Sequence, residues 1–176
     1  QLAEWVAALK FRDLPPAVTD RAKGVTLHGL ASALLGYQRP DGKQALALMK
    51  DEDAGGGGVA TVLVDGARLT KGAAAFVNAE LIVAGGKWDS FRMLTHPGRN
   101  VLPAALAAAE LEAATGEDYI TAVVAGYEVM ERLAGDFLPS VMAHGFHAAP
   151  VFGIFGAAVA AAKIMRLDED QINSTI

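Results

Sequence analysis

Two histidine-bearing segments, Thr95-His96-Pro97-Gly98 and His144-Gly145-Phe146-His147, each stand just before a long Ala-rich run that reads as a buried helix. Histidine is the side chain whose unperturbed pKa puts its charge change near neutral pH. Two imidazoles at the mouths of packed helices predict proton-handling groups on a rigid scaffold. The competing reading is that each ring only satisfies neighbouring backbone. The stretch from Lys87 to Arg99 adds a carboxylate at Asp89, a hydroxyl at Ser90 and cations at Lys87, Arg92 and Arg99. Cations beside an imidazole suit an anionic substrate that must gain or lose a proton. A Ser-His-Asp hydrolase is disfavoured, because no Gly-x-Ser-x-Gly elbow is present. His144 and His147 would share a face if helical, but no carboxylate stands at ligand spacing beside them. No metal is therefore expected.

The elements that must position these residues are mostly helical. Leu2, Trp5, Val6 and Leu9 recur at helical spacing. Asp13-Leu14-Pro15-Pro16 opens a second helix running to about Leu35, with His28 on it and Gly36 ending it. Asp41-Gly42 leads into a short helix through Met49, and the glycines from Gly55 to Gly58 read as a flexible turn. A phosphate cradle is excluded there, since no Lys-Ser/Thr follows and no helix starts at the run. Val59 to Val64 is the convincing strand, and Asp65-Gly66 returns it through Ala67-Arg68-Leu69 as a hairpin. Thr70 can cap a helix reaching Gly85-Gly86. Lys87 to Asn100 reads as loop, Val101 to Ala114 as helix with Pro103 near its first turn, and Asp118 to Leu133 as helix. A loop centred on Pro139 is expected next, followed by a nearly uncharged helix from Val151 to Met165. That last segment is shorter than the ~20 residues a bilayer span needs, so a core helix is expected and no membrane. The fold class is all-α with one small β-hairpin.

Composition narrows the function classes. The 176 residues are 52% hydrophobic with a mean hydropathy of +0.29, enough for a large core. A formal net charge of -5 and no basic stripe argue against a nucleic-acid partner. Cysteine is absent, which removes thiolate chemistry and Cys-ligated clusters. The chain opens at Gln1 without a Met, and Leu167 to Asn173 reads as a fresh helix start that breaks off at Ile176. We expect a portion of a longer polypeptide.

Several segments taken together resemble the MmgE/PrpD family, which includes 2-methylcitrate dehydratase, cis-aconitate decarboxylase and iminodisuccinate epimerase. They run from Leu2-Ala3-Glu4-Trp5-Val6 through Asp65-Gly66-Ala67-Arg68-Leu69, Asn78-Ala79-Glu80-Leu81 and His96-Pro97-Gly98 to Gly126-Tyr127-Glu128-Val129, Gly145-Phe146-His147 and Phe152-Gly153-Ile154-Phe155-Gly156. The resemblance implies a protein more than twice this size, with a helical domain built from both ends of the chain and a smaller α+β lid between them. Residues 1–176 would be the N-terminal part of that helical domain. It further implies that His96 and His147 lie in the active site, as acid/base groups, with Asp89 and Ser90 in the segment ahead of the first histidine. This chain departs from the family pattern there. Gly86 stands where a leading acid is usual, Ser90 stands where Thr is usual, and Lys87 intrudes.

The expected function is a cofactor-independent lyase, a dehydratase or decarboxylase, acting on a small di- or tricarboxylate. His96, His147 and Asp89 are the catalytic candidates. Ser90, Lys87 and Arg92 are the substrate-binding candidates. An epimerase of a dicarboxylate, or a family member that has lost catalysis and serves as a binding or structural subunit, are the alternatives. A cytoplasmic homodimer is expected, with Ala/Gly-rich faces packing against a second copy. If one substrate touches both histidines, they should lie within about 10 Å of each other.

Overall fold

A computed structural model describes residues 1–54, 56–91 and 95–176. Arg92, a substrate-binding candidate, and Gly55 of the glycine run lie outside the described residues. The order is α1 (Leu2–Ala8), a 3-10 turn (Phe11–Asp13), α2 (Pro16–Gly36), α3 (Pro40–Glu52), β1 (Ala60–Thr61), β2 (Arg68–Leu69), α4 (Lys71–Gly85), α5 (Gly98–Leu111), α6 (Gly116–Ala143), α7 (Ala148–Ile164) and α8 (Glu169–Asn173). The fold is all-α with one antiparallel hairpin pairing Ala60 with Leu69 and Thr61 with Arg68.

Several boundaries differ from the sequence expectation. The strand is shorter than Val59 to Val64, because Val64 already adopts φ 70° and the chain has turned. Helix α5 begins at Gly98, three residues early, so Pro103 falls in its second turn. Helix α6 starts at a capping box formed by Thr115 and Asp118 and runs straight through Pro139. The expected Pro139 loop does not exist. Pro139 removes one backbone donor, but Met130, Ala134 and Leu138 form a buried stripe at i, i+4 and i+8 on the main core. Continuous burial along that face outweighs the loss of one hydrogen bond. Helix α7 starts at Ala148 instead of Val151, with Pro150 still inside the first turn where proline is tolerated.

The three larger buried clusters among the described residues join the helices. The largest takes residues from α2, α5, α6 and α7, among them Val101, Leu102, Val123, Met130 and Phe152. A second packs α2, α3 and α4 under the hairpin through Val62, Leu69, Val77 and Leu81. A third seats α1 and α8 against α6 and α7 through Val6, Val129, Val159 and Ile172. The α6–α7 crossing is close enough that a Cβ added at Gly126 would stand 2.6 Å from the Gly156 carbonyl oxygen. The Ala/Gly content of α7 is thus used for helix approach. No helix among the described residues is long and apolar enough to cross a membrane.

Buried polar side chains fasten the elements that flank the histidine loop. Asn78 on α4 accepts from Leu63 N at 2.7 Å and donates to the Thr61 carbonyl at 3.0 Å, which fixes the hairpin on the helix. Ser32 on α2 donates to the Ile82 carbonyl at 2.9 Å and accepts from Lys87 N at 3.2 Å. The loop leaving α4 is thereby pinned where it starts.

Candidate active site

Helix α4 ends on Gly86 at φ 68°, a left-handed C-cap that glycine adopts without steric cost. This gives a backbone reason for glycine at this position. The chain then passes Lys87, whose side chain is exposed, and Trp88, whose indole donates to the Val83 carbonyl at 3.0 Å. Asp89 follows and holds the site together through two different groups. Its carboxylate accepts from Gly98 N, the first residue of α5, with both oxygens at 3.1 Å. It also accepts the Tyr127 hydroxyl at 2.7 Å. A carboxylate at a helix N-terminus is favoured by the backbone donors and dipole there. Its main-chain carbonyl lies 2.7 Å from His96 Nδ1.

That last contact fixes the chemistry of His96. A carbonyl oxygen can only accept, so Nδ1 carries the hydrogen, and in the neutral ring Nε2 keeps the lone pair. The ring is half-buried and sits 5.1 Å from the Trp88 ring, centroid to centroid. On that indole rests the Arg99 guanidinium, 5.4 Å from the ring centroid. Burial depresses the Arg99 pKa while Glu80 and Asp89 oppose that shift; an arginine nevertheless remains a cation at any working pH. An oriented imidazole and a cation on one aromatic platform suit proton transfer beside a carboxylate.

The remaining candidates divide between two clefts. One, of about 530 Å³, is lined by Arg21 and His28 of α2, by Asp89, Ser90 and Phe91, and by Tyr127 and Glu131 of α6. The other, of about 310 Å³, is lined by Glu80, Arg99, Asn100, Pro150 and His147. His147 is exposed at the N-cap of α7. The first turn of α5 adjoins both histidine segments. Asn100 donates to the His96 carbonyl at 3.3 Å and faces the His147 cleft with Arg99. His144 lines neither cleft; its Nδ1 lies 2.8 Å from the Ser140 carbonyl at the end of α6. A further cleft of about 540 Å³, lined by Lys10, Arg12, Lys163 and Arg166, contains none of the candidates.

Reasoning from sequence missed Tyr127, Glu131 and Thr95. Burial, then the charge and hydrogen bond of Asp89, push the Tyr127 phenol far above its usual range, so it is always the donor. Burial pushes the Glu131 carboxyl up to about 7, opposed by Thr95 and reinforced by the charge of Asp89. Tyr127 and Glu131 are i, i+4 neighbours on one face of α6. Two polar residues at that spacing in a largely apolar helix were the available signal.

Comparison with known proteins adds an independent line. The family model described as the MmgE/PrpD N-terminal domain matches residues 1–176. The cis-aconitate decarboxylase-like protein oryM of Aspergillus oryzae is 31% identical over 186 residues, covering 100% of this chain and 38% of that protein. The cis-aconitate decarboxylase of Aspergillus terreus is 30% identical over 185 residues, covering 100% of this chain and 37% of that protein. The chain thus spans somewhat over a third of the length of these relatives.

Proposed function

The chain belongs to the MmgE/PrpD family, whose N-terminal domain model it matches throughout, and from that premise we propose that the whole protein is a cofactor-independent lyase. Its substrate is a small di- or tricarboxylate, and the reaction is decarboxylation or dehydration with proton transfer by His96 and His147. The observation that carries this reading is the His96 Nδ1 contact with the Asp89 carbonyl, which leaves Nε2 as the free base or, when protonated, the acid. Arg99 is the cation best placed to meet a substrate carboxylate, because it is stacked on Trp88 beside that ring. Two relatives carrying the words cis-aconitate decarboxylase in their names favour decarboxylation. In that reaction loss of carbon dioxide leaves an electron pair at carbon, and an imidazolium delivers the proton that ends the step.

Full-length protein incubated with cis-aconitate, 2-methylcitrate and iminodisuccinate should release carbon dioxide from the first or eliminate water from the second. His96→Gln and His147→Gln should each lower kcat by about 10²-fold or more, the usual share of a general acid or base. Turnover of iminodisuccinate alone would make the protein an epimerase. Binding of these acids without turnover would leave it a binding subunit of the family fold.

A further inference from the structure

The hydroxyl of Thr95, the residue just before His96, has two oxygen neighbours and one hydrogen to give. Thr95 Oγ1 lies 2.8 Å from the Phe91 carbonyl oxygen and 3.0 Å from Glu131 Oε2. The carbonyl can never donate, so the Thr95 hydrogen satisfies that contact. The contact with Glu131 is then a hydrogen bond only if Oε2 itself carries a hydrogen. With an ionised Glu131, one of the two contacts would set lone pairs against each other. The other carboxyl oxygen, Oε1, is buried and has no hydrogen-bond partner among the described residues. A carboxylate there would lack the donors that burial demands, whereas a neutral acid needs far less.

From this hydrogen count we propose that Glu131 is held as a neutral carboxylic acid that donates to Thr95 and clamps the His96 turn to α6. Its role is positioning, and it rests on the reading of His96 as an active-site residue. The described residues around it are consistent with this. Tyr127 and the amide of Gly98 give their hydrogens to Asp89, and among the described residues no donor is recorded on Glu131 Oε1. Arg21 and His28 of α2 line the same cleft but form no ion pair with Glu131 among the described residues. On α6 itself Arg132 is paired with Glu128. Burial and the charge of Asp89 keep the proton on Glu131 up to about pH 7, while the ordinary value is 4.5. Between those values the folded state holds a proton that the unfolded chain has released. Stability therefore falls as pH rises through that window and levels off above it.

The test compares full-length protein with Glu131→Gln and Glu131→Ala. Glutamine keeps a donor for Thr95 and cannot ionise. Wild type and Glu131→Gln should melt together at about pH 5, and wild type should fall below Glu131→Gln by a few degrees at about pH 8. A protonated-carboxyl infrared band should titrate near neutrality in wild type and be missing from both variants. On whichever substrate is turned over, Glu131→Ala should lose roughly tenfold in kcat with little change in KM, and Glu131→Gln should restore it at low pH. A melting difference independent of pH, no such band, or an alanine variant with unchanged kcat would each overturn the proposal. If the band and the melting step appear but no carboxylate substrate is turned over, the functional reading fails and the neutral clamp stands.

Discussion

Tyr127 of α6 donates its hydroxyl hydrogen to Asp89 Oδ2 at 2.7 Å, across a sequence separation of 38 residues. The same carboxylate takes the first backbone N–H of α5, so one side chain joins the loop, α5 and α6. His96 is held against the carbonyl of that same residue. The geometry of the imidazole therefore depends on a contact made by a helix far along the chain.

Removing that contact should be costly. Tyr127→Phe leaves the ring packing intact and takes one donor from a charged acceptor. The expected loss is about 1.5–3 kcal/mol, as for hydrogen bonds to charged groups, measured by urea unfolding of the protein. A loss close to zero would mean that water replaces the phenol without penalty.

Gly86 at φ 68° predicts a local cost for any side chain. A Cβ there has open space around it, so the penalty is conformational alone. Gly86→Ala should destabilise by about 1 kcal/mol, and Gly86→Asp, whose side chain tolerates the left-handed region better, by no more than that. If Gly86→Asp proves markedly more destabilising, charge near Asp89 has entered as well.

Lys87 is exposed and directly follows Gly86. Lys87→Asp should leave the melting temperature nearly unchanged, since its structural contact is made by the backbone N–H. Its effect should fall on KM for the substrate with more carboxylates, weakened by roughly several-fold at low salt and less at high salt. Equal kinetics at both ionic strengths would mark the residue as a bystander.

Close approach of α6 and α7 makes Gly126 sensitive. The added Cβ of Gly126→Ala would meet Gly156 O at 2.6 Å and a Val101 methyl at 2.9 Å. Backbone on one side cannot swing away as a side chain can. A loss of about 1–3 kcal/mol is expected, and an unaltered melting temperature would imply that the two helices slide apart at little cost.

What the sequence by itself determined was local. Helical periodicity, the cap at Thr70 and the ordered family segments located the helices, the hairpin and the two histidines. Those signals act over three or four residues, the reach of one helical turn. They misjudged Pro139, where local preference opposed a helix and burial of Ala134 and Leu138 overrode it. Only the tertiary structure decided what surrounds His96. Thr95 meets Glu131 across 36 residues and Asp89 meets Tyr127 across 38, and both depend on which face α6 turns toward the loop. It also brought the first turn of α5 to both histidine segments, Asn100 bonding the His96 carbonyl and, with Arg99, lining the His147 cleft. That arrangement follows from how α5 and α7 pack, since each contact requires whole helices to settle before the side chains on them can meet.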